Sequence, residues 1–223
     1  MENNKYTQMQ NSFYASGTSN HDEHNKNDDY WNILLNNNEK FEGKLALDFG
    51  CGKGRNINNI KNLFDFFRVD GVDISQANIN HCKSTIENSV FIKNNGVDLS
   101  KIESEKYDFV ISTIVLQHIP VHQIRYNLMS EMFRVMKSAG ELRFQMGYGK
   151  DLKHYNGGLD RKGYFENYYD ADGTNGILDV RVTNENDLIS DLKKIGFREI
   201  EVQIRDSFSD TGHPQWIYVK CKK

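Results

Sequence analysis

The stretch Leu45-Ala46-Leu47-Asp48-Phe49-Gly50-Cys51-Gly52-Lys53-Gly54-Arg55-Asn56 constrains this chain more than any other. A short apolar run ends in an acid. Three glycines follow at alternate positions, and a polar stretch with helical spacing then begins. That order predicts a buried strand, a tight turn and a helix N-terminus. Glycine has no Cβ and accepts positive φ, so a ligand can approach bare backbone at such a turn. The helix behind it presents unpaired N–H groups. One glycine pair would fit any loop between two core elements; an acid followed by three glycines asks for more. The dinucleotide fingerprint G-x-G-x-x-G does not fit, because Arg55 stands where its third glycine belongs. Cys51 supplies the small side chain the turn needs, a better reading than a reactive thiol.

The rest of the chain repeats strand and helix patterns. Ile57, Ile60, Leu63 and Phe64 have the spacing of a core-facing helix. Residues 67–72 read as a second strand ending at Asp73, with Ser75 as N-cap for a helix from Gln76. Ile79, Cys82 and Ile86 line that helix, and residues 89–92 make a third strand. Residues 107–112 are a fourth strand. Pro120 suits the first turn of a helix whose stripe runs through Ile124, Leu128, Met132 and Met136. Residues 137–146 are a turn and a fifth strand. Thr183 or Asn184 caps a last helix with Leu188, Ile189, Leu192 and Ile195 on its apolar face and Gly196 at its end. Residues 197–204 and 216–221 are two final strands. The expected fold class is α/β, with seven strands and helices alternating along the chain.

The spacing acid-x-Gly-x-Gly-x-Gly resembles motif I of the class I S-adenosylmethionine-dependent methyltransferases. In that family the glycine loop lies under the methionine and ribose parts of the cofactor. Val72-Asp73-Ile74-Ser75 resembles the family's motif after strand two, and residues 112–118 resemble its motif after strand four in the small-molecule branch. By motif the resemblance spans residues 43–146, and it implies a Rossmann-like seven-stranded sheet, mostly parallel with an antiparallel C-terminal hairpin, helices on both faces and a cap insertion. It implies S-adenosylmethionine as cofactor and S-adenosylhomocysteine as product, with contacts from Asp48, Gly50, Cys51, Gly52, Gly54, Asn56, Asp73 and Ile74. Asp73 would hold two ribose hydroxyls, since a carboxylate accepts two hydrogen bonds at once. Asp98 would accept a bond from the adenine amino group, with Val97 or Leu99 packing on the ring. Ser112, Thr113 and Gln117 would border the transferred methyl, because ligands of an open parallel sheet sit beyond the strands' carboxyl ends. His118 is a candidate general base. Packing between the sheet and the next helix is its competing role, and His122 and His154 are further candidates.

The activity implied is in-line transfer of a methyl group to an oxygen or nitrogen of a small-molecule acceptor. No Asn/Asp-Pro-Pro-Tyr/Phe motif follows strand four, which disfavours methylation of DNA or of a glutamine side chain. Nor does an acid end that strand, so no catalytic metal is expected. Lys and Arg total 28 and Asp and Glu 31, a net charge of -3, which offers no attraction to nucleic acid or an acidic membrane. That balance disfavours an RNA methyltransferase. An NAD-linked oxidoreductase would share the first strand, the glycine turn and the ribose acid, but the glycine spacing and the final hairpin count against it. A non-catalytic protein that binds S-adenosylmethionine would keep the turn without a working acceptor pocket. No apolar run approaches the ~20 residues that span a bilayer, and the polar N-terminus is unlike a signal peptide. Cys51, Cys82 and Cys221 lack C-x-x-C spacing, as expected of a reduced cytoplasmic protein without zinc.

Residues 1–29 read as a polar tail or lid in which Phe13 and Tyr14 are aromatic islands. Residues 30–223 are read as a single domain. Within it, residues 147–182 read as a cap insertion, with Tyr14 of the tail and Tyr148, Tyr155, Tyr164 and Tyr168 as candidate acceptor-covering side chains. So many aromatic groups in a mobile loop would leave a large apolar area in water. Arg161 and Arg181 read more readily as surface charge than as anchors for an acidic group.

Overall fold

A computed structural model of the chain describes Gln8, Ser12 and residues 33–36, 38–119, 121–149, 180–207 and 213–223. The sheet grows outward from β1 (Leu45–Phe49), which is buried from Ala46 onward because both of its faces are covered. β2 (Arg68–Asp73) and β4 (Tyr107–Ser112) pair with it in parallel on either side. β3 (Phe91–Lys93) extends the sheet beyond β2. β5 (Met136–Tyr148) lies parallel to β4, and β7 (Gln215–Lys222) runs antiparallel between β5 and β6 (Arg198–Asp206). The order is β3-β2-β1-β4-β5-β7-β6; the seven strands and the antiparallel C-terminal pair agree with the fold that the resemblance implies.

Helices cover both faces. α1 (Arg55–Leu63) and α2 (Gln76–Thr85) bury Ile57, Ile60, Ile79 and Cys82 against one face. α3 (His122–Val135) and α4 (Glu185–Ile195) bury Ile124, Leu128, Met132, Leu188 and Leu192 against the other. Ser75 caps α2 by accepting the Asn78 N–H, and Asn184 rather than Thr183 caps α4. Gly196 ends α4 at φ 120°. Leu63 is exposed rather than core-facing, since α1 stops there. Met136 is the first residue of β5, so the α3 stripe ends one step earlier than its spacing suggests. Residues 137–140 bulge away from β4 before the pairing resumes at Glu141.

Leu34, Leu35 and Phe41 close the α1/α2 face next to β4 and β5. Arg143 on β5 fastens them: its guanidinium donates to the Leu34 carbonyl at 2.8 Å and to Glu39 at 2.7 Å, and it lies over the rings of Phe41 and Phe109. The carboxyl ends of β1, β2 and β4 meet at one rim of the sheet, where the glycine turn sits. Pro120, Phe13, Tyr14, His154, Tyr155, Arg161, Tyr164 and Tyr168 lie outside the described residues, as does most of the expected insertion.

Candidate functional site

The turn after β1 takes the backbone path that only glycine follows without strain. Gly50, Gly52 and Gly54 have φ of 76°, 53° and 82°. The Gly50 and Cys51 N–H groups donate to the Val72 carbonyl at 2.8 and 3.1 Å, which ties the turn to β2. A Cβ on Gly50 would meet Val115, and one on Gly54 would meet Ile86, both closer than 2.5 Å. A Cβ on Gly52 would meet nothing within 4 Å, so the open side of the turn is at its centre. The Cys51 and Cys82 thiols hydrogen-bond to each other behind it, and Cys82 also donates to the Gly52 carbonyl at 3.3 Å.

Two buried carboxyl groups flank the turn. Asp73 Oδ2 accepts the Gly52 N–H at 2.9 Å, while Oδ1 accepts Ser75 N–H at 2.8 Å and Asn78 Nδ2 at 3.3 Å. Burial pushes the Asp73 carboxyl up, and these three bonds oppose it. Asp48 is 1% exposed, and its Oδ2 has no hydrogen-bond partner among the described residues. Burial, with the Asp73 charge nearby, pushes its pKa up to about 7, against a smaller opposing pull from Arg55.

Beyond β3 the polar groups divide. Asp98 accepts bonds from Ser100 N–H and Oγ–H and from Asn95 Nδ2, so its carboxylate shapes its own loop. Burial works against its charge, yet those bonds hold its pKa below the usual range. Val97 is half-buried and Leu99 fully buried. Asn94, whose N–H donates to the Asp73 carbonyl, is buried with Oδ1 unpartnered among the described residues. Val72, Ile92, Asn94, Asp98 and Leu99 line a cleft of about 230 Å³ with its open mouth here. Ile74 is half-buried at the bend between β2 and Ser75.

The loop after β4 closes over the turn. Ser112 is buried and donates its hydroxyl to the Phe49 carbonyl at 3.0 Å, which joins β4 to β1. Asn56 Nδ2 donates to Thr113 Oγ1 at 2.6 Å. Ile114 has φ 56°, unusual for a β-branched residue, and its N–H donates to Gln145 Oε1 at 2.8 Å. Residues Leu116–His118 form one turn of 3-10 helix. Gln117 is buried with both amide atoms unpartnered among the described residues, while His118 is half-buried.

A second cleft, about 470 Å³ with its open mouth, lies between α3 and α4 beside that turn. Leu116, Met146, Arg125, Arg181 and Asp187 line it, and His122 Nε2 lies 2.6 Å from Asp191 Oδ2 at its edge. Arg181 is 1% exposed, which corrects its reading as surface charge: residues 180–182 bond back onto the Gln117 and Gly147 carbonyls and carry it inside. Tyr148 is buried, and its hydroxyl donates to Glu185 at 2.8 Å.

The structure thus gathers Asp48, the three glycines, Cys51, Asn56, Asp73, Ser112 and Thr113 at one rim through the bonds above. It sets Tyr148 in the α3/α4 core, apart from them. Asn94, Gln145 and the His122–Asp191 pairing are polar features the motifs do not single out. Among the described residues no three His, Cys, Asp or Glu side chains gather as a metal site, and no helix is long and apolar enough to cross a membrane.

Residues 47–144, from β1 into β5, match the family described as a methyltransferase domain. The arsenite methyltransferase of Mus musculus is 29% identical over 53% of this chain, and the match spans only 35% of that protein's length. A solved S-adenosylmethionine-dependent methyltransferase from Methanosarcina mazei overlays with a TM-score of 0.62 at 18% identity, over 86% of this chain and 96% of that one. Phosphoethanolamine N-methyltransferase 2 of Haemonchus contortus, solved with S-adenosyl-L-methionine, overlays at 0.60 and 16% identity, over 86% of this chain and 51% of that one. At such identities the overlays speak for the fold alone. The matched domain covers the sheet from β1 to β5 with its glycine turn, and the chain as a whole shares the fold of solved S-adenosylmethionine-dependent methyltransferases.

Proposed function

We propose that the chain moves the methyl group of S-adenosylmethionine to an oxygen or nitrogen of a small-molecule acceptor. The observation that carries this reading is the left-handed triple-glycine turn, open at Gly52 and bonded to Asp73. The residues fit the cofactor. Asp73 Oδ2 holds one bond and keeps acceptor capacity for a ribose hydroxyl. Asp48 Oδ2 is a buried acceptor suited to an ammonium group, and Asn94 Oδ1 is another on the side where adenine would lie. The cofactor supplies a sulfonium methyl already activated toward a nucleophile. The chain's own task is to align acceptor and methyl and to keep water out. Where the acceptor carries a proton, His122 is the better-oriented base, because Asp191 holds its ring at the cleft edge; His118 is its rival.

A small acceptor is supported by the net charge of -3 and by the names of two similar proteins, an arsenite and a phosphoethanolamine methyltransferase. Three unbridged cysteines support a reducing, cytoplasmic setting. The test is methyl-labelled S-adenosylmethionine with phosphoethanolamine, arsenite, an ultrafiltered metabolite extract and total RNA. Label should enter the small-molecule fraction. Label in RNA alone, or in no fraction, overturns the reading.

A further inference from the structure

Ile114 holds a backbone conformation that its side chain opposes. A β-branched residue at φ 56° is a steric outlier, and such strain persists only where neighbours over-determine it. The neighbours are visible. Thr113 is held by Asn56 at 2.6 Å, and the Ile114 N–H is held by Gln145 at 2.8 Å. Val115 fills the space where a Cβ on Gly50 would stand. The left-handed residue is what turns Val115 down onto the glycine turn.

Gln145 is an unusual residue to find in this role. It sits in β5 with 0% exposure, and its neighbours Phe144 and Met146 point into the α3/α4 core. Its Oε1 crosses to the loop after β4, while its Nε2 has no partner among the described residues. Burying an amide with one end unpaired is unfavourable, so an apolar side chain would pack here at less cost unless the bond to Ile114 matters.

We infer that Gln145 is a positioning residue for cofactor binding: its carbonyl oxygen fixes Ile114 in the left-handed conformation and thereby seats Val115 on Gly50, shaping the floor under the methionine end of the cofactor. This rests on the cofactor reading above. Gln145 touches neither the turn nor Asp73 in any bond described, so its effect falls on the methionine end and spares the adenosine end.

The experiment is a double-mutant cycle read by calorimetry with S-adenosylhomocysteine and with adenosine. Gln145→Met removes the acceptor while keeping a long side chain. It should weaken S-adenosylhomocysteine binding about tenfold and leave adenosine binding within about twofold. Ile114→Gly adopts positive φ unaided. In that background Gln145→Met should have little further effect, a coupling that general loosening of the core would not produce. If Gln145→Met alone does not fold, the double variant should fold, because the clamp is no longer needed; an unfolded double variant overturns the inference. Equal loss of S-adenosylhomocysteine and adenosine binding, additive effects in the cycle, or unchanged binding in Gln145→Met also overturn it. A parent protein that binds no S-adenosylhomocysteine overturns the cofactor reading and this one together; a parent that binds it isolates the test to Gln145.

Discussion

Asp73 Oδ2 accepts the Gly52 N–H at 2.9 Å, so the carboxylate proposed for the ribose also holds the glycine turn in shape. Its other oxygen fixes Ser75 and Asn78 at the start of α2. Asp73→Ala should therefore destabilise the free protein by about 1–3 kcal/mol, because three donors lose their acceptor. S-adenosylhomocysteine affinity should fall as well. Denaturant unfolding without ligand is the check: a variant as stable as the parent would mean that the carboxylate serves the ligand only.

Gly52 and Gly54 should fail in different ways. Gly54→Ala places a methyl against Ile86 and Cys82 at φ 82°, so it should lower stability by about 1–3 kcal/mol. Gly52→Ala meets no protein atom within 4 Å and bears only the backbone strain of φ 53°, about 1–2 kcal/mol. Its methyl stands in the open space over the turn, so it should remain folded and lose S-adenosylhomocysteine binding. Thermal denaturation and calorimetry on both variants separate a packed glycine from a ligand-facing one.

Asp48 should leave a mark on pH dependence. Its folded pKa, about 7, lies above the ordinary 3.8, so the folded state binds the extra proton between those values. Stability from this group is then present at low pH and lost as pH rises toward and through 7, on the order of a few kcal/mol. Asp48→Asn should flatten that part of the profile relative to the parent. A cofactor ammonium beside Asp48 favours the carboxylate, so binding should release a proton near pH 6–7. Calorimetry in buffers of different ionisation enthalpy detects it; binding without proton release would separate Asp48 from the ligand.

The two histidines near the loop after β4 make opposite predictions. With His122 as base, His122→Asn should slow transfer about 10²–10⁴-fold and remove the low-pH limb of the rate, since the protonated imidazole cannot accept a proton. Asp191→Asn should act in the same direction, because the 2.6 Å bond that orients the ring is weakened. His118→Ala should keep the shape of the pH profile. Loss of that limb in His118→Ala, with His122→Asn active, would reverse the assignment.

Chemistry local to one stretch of chain is legible in the sequence. Asp48 and three alternate glycines lie within seven residues, and their spacing alone asks for a ligand-facing turn at a strand end. Asp73 is legible because α/β nucleotide folds fix its distance from the turn. Gln145 is not: in the run Leu142-Arg143-Phe144-Gln145-Met146, alternation assigns Arg143 and Gln145 to a wet face. Leu34, Leu35 and Phe41 help cover that face, so both polar residues are buried and acquire specific partners. The Gln145–Ile114 and His122–Asp191 pairs join residues 31 and 69 positions apart, and no local pattern announces such pairs. Arg181 looks like surface charge in the sequence for the same reason: its burial comes from bonds that residues 180–182 make to distant backbone.

The most direct measurement is the ligand-dependent stability of the parent protein. S-adenosylhomocysteine at about 100 times its dissociation constant should stabilise the fold by roughly 2.7 kcal/mol, visible as a rise in melting temperature. NAD at the same concentration should produce no comparable rise. Stabilisation by NAD, with none by S-adenosylhomocysteine, would contradict the account.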